Sequence, residues 1–481
     1  MRPHLPAMDE FKQLPLALML SGVLAISYFL PNGHDDQRAL ELALLLLLCL
    51  IGLVKVCRGG AVPLFPVRSN PFLAAFFLLG IWSSARAFSP AHAFYEVSSF
   101  VILLMLGLCV ARELARSGGG LLYVLKICGY GCVLYALKIM IVYMAALVGG
   151  FQPEVLDFSP GFSNYRFLNH AQTVTLPLLV LLLMLDRPAG KARPLWCVLA
   201  GFWWTLLIVL TGRGTLMGLI AGTVLAYAVR QRHAHAFCRA LWLTALLGAA
   251  IYAVFFYAIP KACGMEPFGE LFNLVQRTVE NPTSSRKELW LRALDLIATH
   301  PWLGAGPLHY AHDAGVLHTY AHPHNWVLQI GAEWGLPALL CLCLALGTAL
   351  LRLLRTARWL APDDAVQHTL LTAWIVTGAA LLVDGLFSGL IVMPVSQLLI
   401  ALYLGCAVGW AWSLKGAPAA DSGPGWPRAA QAALLLTAML LLVNGAWPGL
   451  KGKIGLHVPP APKEEPYRNS YYPRLWRFGY F

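Results

Sequence analysis

The sequence predicts an all-α polytopic membrane protein of about 12–13 transmembrane helices, with a large loop on one face that carries surface helices of its own. Three observations predict it. Apolar residues make up 58% of the 481-residue chain and charged residues only 12%, with a mean hydropathy of +0.65, a balance foreign to water-soluble domains of ordinary composition. The apolar residues come in blocks of about 20, the length at which a helix crosses roughly 30 Å of hydrocarbon, and they do not alternate as barrel strands would. Lys and Arg recur in every second connection between the blocks, the pattern of cytoplasmic loops.

Spanning helices fall near 14–30, 39–56, 71–85, 94–111, 120–149, 171–185, 194–211, 214–230, 238–260, 325–351, 368–388, 394–413 and 429–447. The first lacks a small-residue cleavage site after Leu30 and reads as a retained anchor rather than a removed signal peptide. The third is short and the fifth overlong, so a tilted, broken or surface-lying segment fits either place. The chain divides into N-terminal transmembrane helices (1–160), a core (161–345) that includes a long loop (261–324), C-terminal transmembrane helices (346–447) and a basic tail (448–481).

Arg2 and Lys12 precede the first helix. Lys55, Arg58 and Arg68, then Arg112 and Arg116, Arg187, Lys191 and Arg193, Arg230, Arg232 and Arg239, and Arg352, Arg355 and Arg358 occupy alternate connections, which are therefore expected in the cytoplasm. The connections 31–38, 86–93, 150–170, 212–213, 261–324 and 389–393 then face outward. One conflict remains, because the tail from Lys451 to Arg477 is basic yet lies outside if there are thirteen crossings; twelve would bring both ends inside. The net charge of +12 is largely this topological signal, and with no basic-aromatic motif a nucleic-acid partner is not expected. Most of the eleven cysteines, such as Cys49, Cys109, Cys128, Cys341 and Cys343, fall inside apolar helices and suit core packing. Only Cys263 lies in the long outward segment, so neither a disulfide framework nor a CxxC metal or redox pair is indicated.

The outward segment 261–324 is far longer than a turn. Ser285-Arg286-Lys287-Glu288 reads as a capping box that opens a helix running to about His300-Pro301. Its apolar side includes Leu289, Trp290, Leu294 and Ile297, suited to the bilayer surface or the bundle. Arg286 sits in the first turn, where free N–H groups and a guanidinium together suit phosphate oxygens; the plainer reading is an arginine that snorkels to lipid headgroups. Arg213 stands in Thr211-Gly212-Arg213-Gly214-Thr215, a turn between two apolar helices on the outward side. An arginine there runs against the positive-inside rule, so a specific partner is expected: an internal carboxylate or a ligand phosphate.

Five histidines follow, His309, His312, His318, His322 and His324, with only Asp313 as a carboxylate among them. Their spacing matches no standard zinc pattern, so no metal site is expected and several read as surface polar residues. His324 differs because it lies at the N-terminus of a helix, which disfavours imidazolium and leaves the neutral ring a general base requires; a capping or structural role is the alternative. Arg213, Arg286 and His324 are thus expected on one membrane face. Two arginines and a base suit the departure of a sugar from a polyprenyl diphosphate, whose negative charge grows as an acceptor hydroxyl attacks the anomeric carbon.

Ser285-Arg286 through Leu289-Trp290, His300-Pro301-Trp302-Leu303-Gly304-Ala305-Gly306, and His324-Asn325 followed after nine residues by Gly335 together resemble the O-antigen ligase superfamily, over roughly residues 160–345. Ala338 replaces a glycine or other small residue common in that family. The resemblance implies a GT-C-like membrane glycosyltransferase that needs no metal or cofactor. It implies a donor glycan on undecaprenyl diphosphate and an active site on the periplasmic side of the bacterial inner membrane. Arg213 and Arg286 correspond to the family's arginines, and His324 to the histidine proposed to activate the acceptor. The run Gly161-Phe162-Ser163-Asn164-Tyr165-Arg166-Phe167-Leu168-Asn169-His170-Ala171-Gln172 is similar to pilin-type O-oligosaccharyltransferases. Arg166, Asn169, His170 and Gln172 are therefore expected at the donor diphosphate or glycan, or else as polar residues closing a helix entrance, and His322 and Asn325 as further substrate contacts. The acceptor implied is a protein such as pilin, with lipid A-core or a growing O-antigen as alternatives. A lipid-linked glycan transporter is the competing class, but Asp384 is its main intramembrane acid and thin support for ion coupling.

Overall fold

The computed structural model describes residues 33–60, 62, 70–116, 120–186, 192–271, 286–316, 320–414, 427–453 and 474–476. The expected helix 14–30, the capping Ser285, His318 and the basic residues Arg2, Lys12, Arg68, Arg187 and Lys191 lie outside the described residues. Within them the chain is an all-α polytopic membrane protein. Nine stretches are long and apolar enough to cross a bilayer, and two shorter apolar helices, Pro71–Arg86 and Arg193–Val209, stand in addition to them.

In chain order the helices are α1 (His34–Cys57), α2 (Pro71–Arg86), α3 (Pro90–Arg116), α4 (Gly120–Gly149), α5 (Tyr165–Leu185), α6 (Arg193–Val209), α7 (Arg213–Arg230), α8 (His235–Ile251), α9 (Arg286–Thr299), α10 (His309–Val316), α11 (Trp326–Trp334), α12 (Leu336–Thr356), α13 (Ala365–Asp384), α14 (Pro394–Ser413) and α15 (Arg428–Lys453). Side chains fix several starts by accepting orphan N–H groups: Asn70 from Leu73 (3.2 Å), Asn164 from Arg166 (3.0 Å) and Asp364 from Gln367 (3.1 Å). The stretch Arg213–Ala262 holds two crossings, since the chain turns at Gln231, whose φ is 47°, between α7 and α8. A π-helical stretch, Tyr252–Ala258, extends α8. The expected long helix 120–149 is one unbroken α-helix, and at about 1.5 Å per residue it exceeds the hydrocarbon thickness. In its last turn Val148 is 84% exposed.

Small residues let the helices approach closely, as membrane packing demands. Gly218 and Gly222 of α7 lie against the backbone of Ala380 and Val376 on α13. Gly107 of α3 meets Ala401 of α14, and Gly405 and Gly409 return the contact to Val110 and Ala111. Buried tryptophans, among them Trp196, Trp203 and Trp374, fill the wider gaps.

The expected single helix 325–351 is corrected: it is two helices, α11 and α12, broken at Gly335. Gly335 has φ 89°, and a Cβ there would strike the carbonyl of Trp302. The segment His300–Gly306 fills the break. Its Pro301 carbonyl accepts from Leu336 N (2.9 Å), while Ala305 N and Gly306 N donate to the carbonyls of Ala332 (2.8 Å) and Glu333 (3.0 Å). The backbone groups freed by the break are thus satisfied by the loop. A second correction concerns α9. Its buried stripe is Leu289, Ala293 and Leu296, facing α11 and Tyr310, whereas Leu294 and Leu291 are exposed because they lie on the opposite face. Cys343 is also exposed rather than packed in the core.

The alternating helices gather two sets of connections. Arg230 meets His368 (2.7 Å), Asn70 meets Ala345 (3.3 Å) and Arg428 lies by Gly59 at one end. At the other, Gly33 touches Ser163, Ser89 N donates to His309 (2.8 Å) and Trp326 N donates to Gly385 (2.9 Å). The candidate site lies at this second end.

Candidate active site

His324 is held by what surrounds it in sequence. Asn325 caps α11, its Oδ1 accepting from Val327 N (3.0 Å) and Leu328 N (3.1 Å), so the chain must turn sharply just before the helix. His324 makes that turn with φ 53°, a left-handed conformation that a histidine adopts at a cost. Trp290 of α9 donates from Nε1 to the Pro323 carbonyl (3.1 Å) and ties the same turn to the helix that begins with Arg286. The His324 ring packs edge-on against His322, with centroids 4.1 Å apart, and near Tyr320 at 5.7 Å. Burial, then Arg286, Arg166 and His170, pull its pKa from 6.5 down to about 3. The imidazole is neutral at physiological pH.

Three arginines gather here from three elements, Arg286 and Arg166 bearing on His324 and Arg213 on Arg286. Arg286 opens α9, Arg213 opens α7 and Arg166 lies in the first turn of α5. Burial, followed by Arg166 and Arg213, lowers the Arg286 pKa to about 10, while Asp384 acts in the opposite direction. Arg286 therefore keeps its charge at neutral pH. Thr211, with φ 49°, shapes the turn before Arg213. Beneath it Asp384, at the end of α13, accepts from Thr173 Oγ1 (2.6 Å) and Thr215 Oγ1 (3.4 Å). Gly214 leaves room for that carboxylate, since a Cβ would strike it. Like charges brought together around a half-buried base cost stability in the empty protein and become favourable once an anion sits among them.

The other expected residues divide. His170 is buried, bears electrostatically on both His322 and His324, and leaves Nδ1 unpartnered. Burial and then His324 press His322 well below the usual histidine range; its Nδ1 is unpartnered as well. Asn169 fastens α5 to the Arg213 turn: its carbonyl accepts from Thr215 Oγ1 (2.8 Å), its Nδ2 donates to the Leu210 carbonyl (3.4 Å), and its Oδ1 has no partner. Gln172 is fully buried in the seam with α6, donating to the Trp203 carbonyl (2.8 Å), and Asn325 has its side-chain oxygen engaged as a cap. These two position helices. His309 and His312 belong elsewhere, His309 accepting from Ser89 N (2.8 Å) and His312 stacked on Phe88 at 4.2 Å. Arg292 pairs with Asp313, the one carboxylate of the histidine stretch, and also with Asp295 (2.5 Å).

Asp384 was visible in the sequence only as an acid within a helix; its place under the arginines needed the fold. Glu333, Glu96 and Arg474 form a buried ionic group beside α11 that sequence reasoning missed altogether.

Fold and site together define a multi-pass membrane protein in which Arg286 and Arg166 bear on a neutral His324 and Arg213 bears on Arg286. Residues 197–343 match the family model described as O-antigen ligase, a likeness that supports a membrane glycosyltransferase of ligase or polymerase type. The match takes in Arg213, Arg286, His322, His324 and Asn325, and leaves out Arg166, Asn169, His170, Gln172 and Asp384. No curated protein matches the chain.

Proposed function

We propose that the protein transfers a glycan from undecaprenyl diphosphate to an acceptor hydroxyl at the periplasmic face of the bacterial inner membrane, without metal or cofactor, and that the acceptor is a protein such as pilin. The observation that carries the reading is the convergence of Arg166 and Arg286 on the neutral His324, with Arg213 bearing on Arg286. The diphosphate sits among the arginines, with its polyprenyl chain entering laterally between helices. His324 takes the acceptor proton, the acceptor oxygen bonds to the anomeric carbon, and the bond from that carbon to the diphosphate breaks. The departing diphosphate keeps the electron pair, and charge-assisted hydrogen bonds hold it, each contributing on the order of 1.5–3 kcal/mol. Attack opposite the leaving group inverts the anomeric centre. The basic connections that carry Arg230, Arg232, Arg352 and Arg355 belong to the opposite end of the bundle, which supports a periplasmic site by the positive-inside rule.

Protein glycosylation rests on the polar run 161–172 at the head of α5. A second reading, ligation of O-antigen to lipid A-core or its polymerisation, is favoured by the description of the matched family. Purified protein given undecaprenyl-diphosphate glycan with pilin and with lipid A-core separates them. Glycosylated pilin is the expected product; glycan on core, or a lengthened lipid-linked glycan, replaces that acceptor with the second reading.

The pH dependence follows from the same charges. His324 must be neutral, so activity is lost as pH falls through its pKa, and in the empty site that pKa is about 3. A bound diphosphate offsets Arg286 and Arg166 and raises it. The acid limb of kcat is therefore expected at a higher pH than that of kcat/KM for the donor, which reports the free enzyme and should show no histidine limb near 6.5. Parallel pH profiles of the two constants check this; a kcat/KM limb at the ordinary histidine value contradicts the desolvated, arginine-flanked base.

A further inference from the structure

Arg474 lies well past α15 in a basic tail, yet its side chain is 2% exposed. Its Nη2 donates to both oxygens of Glu96 (2.8 and 3.1 Å) and both of Glu333 (3.0 and 2.8 Å). Gln329, one turn before Glu333 on α11, accepts from Arg474 Nη1 at 2.5 Å with its amide in the orientation that satisfies both of its polar atoms. The Arg474 carbonyl in turn accepts from Arg38 of α1 (3.1 Å), whose guanidinium also reaches Glu41 (2.5 Å), Gln397 (2.7 Å) and the Val392 carbonyl. Leu475 is buried beside it. One residue thus joins α1, α3 and α11 inside the protein.

Gln329 and Glu333 are the inner face of the short helix that opens at Asn325 directly after His324. Glu333 also receives Tyr310 N (3.1 Å) on its carboxylate and Gly306 N (3.0 Å) on its carbonyl, so it holds the loop that fills the break at Gly335. A helix of nine residues, broken from its successor, depends on its neighbours to fix its axis: α9 packs on one side, Phe76 stacks on Trp334, and Arg474 holds the polar inner face.

We propose that Arg474 is a positioning residue for the transfer reaction: its fork across Glu333, Gln329 and Glu96 sets α11, and through α11 the placement of His324 against the arginine-bound donor. The proposal rests on the reaction assigned above. Without Arg474, Glu96 and Glu333 face each other as buried carboxylates with no counter-charge between them, and α11 loses the partner of two of its turns. The arginines assigned to the donor stand on α5, α7 and α9, none of which Arg474 joins.

The test compares wild type, Arg474→Met and Arg474→Lys in detergent, each shown monodisperse, with pilin glycosylation as the assay. Arg474→Met is expected to lower kcat about 10–100-fold, the cost of misplacing a reacting group by about 1 Å, with donor KM nearly unchanged. A loosened α11 also admits water to His324, so the acid limb of kcat moves toward the ordinary histidine value even though Arg286, Arg166, His170 and His322 still face the ring. A purely structural role leaves that limb where it is. Should Arg474→Met not fold, Arg474→Lys decides, because it keeps the charge and loses the fork. It is expected to fold, to lose kcat in the same direction and to show the same shift of the limb. Wild-type kcat and pH profile in a folded variant overturn the proposal. An inactive wild type instead overturns the reaction itself, so the two failures are distinct.

Discussion

Replacing His324 by alanine is expected to lower the rate of glycan transfer by about 10²–10⁴-fold, the range that a positioned general base contributes. Donor binding should change little, because the guanidinium groups of Arg166, Arg213 and Arg286 remain. The asymmetry is the informative part. His324 occupies a left-handed turn between Pro323, held by Trp290, and Asn325, which caps α11, so the ring is removed without disturbing either anchor. Alanine also relieves the packing against His322, and no loss of stability is expected beyond that contact. Single-turnover kinetics with saturating donor check the result. A variant with wild-type turnover leaves His324 as a structural residue and moves the base elsewhere, to His322 or His170.

Arg286→Ala has a comparable effect by a different route. The diphosphate gains charge only as the glycosidic bond breaks, so a guanidinium that contacts it acts mostly on the transition state; removal of one such donor costs about 10²–10³ in kcat. Lysine is not expected to restore it, since the site calls for a planar fork between two phosphate oxygens. Stability should move the other way. Burial and the neighbouring Arg166 and Arg213 make the charged Arg286 unfavourable in the empty site, so Arg286→Gln is expected to raise Tm while lowering kcat/KM. Thermal unfolding in detergent, with and without donor, measures both signs. A lower Tm together with normal turnover makes Arg286 an ordinary surface arginine.

Much of the fold was legible because bilayer thickness acts on local composition. Helices such as α3, α7, α13 and α14 follow from runs of apolar residues whose length the hydrocarbon sets, and from the basic residues beyond their ends. The break at Gly335 was not legible in that way, because hydropathy does not register helix continuity and residues 326–356 form one apolar run. The clue was Gly335-Leu336-Pro337, yet what fills the break is the distant His300–Gly306, and only long-range hydrogen bonds show that. At the site, Arg213, Arg286 and His324 stood out because each violates a local expectation: an arginine in an outward turn, an arginine at a helix start and a histidine at a positive helix end. Arg474 violates none. A basic residue in a basic tail looks ordinary until the fold sets Glu96 and Glu333 on either side of it. Gln172 shows the converse, a polar residue in a suggestive run whose side chain joins α5 to α6.

The most direct measurement of the central claim is transfer by purified protein in chelator, from undecaprenyl-diphosphate glycan to an acceptor hydroxyl, run beside His324→Ala and Arg286→Ala proteins of equal monodispersity. The arrangement of Arg286 and Arg166 beside a neutral imidazole, with Arg213 next to Arg286, predicts glycan on the acceptor and free undecaprenyl diphosphate with wild type, and neither with the variants. Transfer that persists in both variants, or that requires added divalent metal, contradicts it.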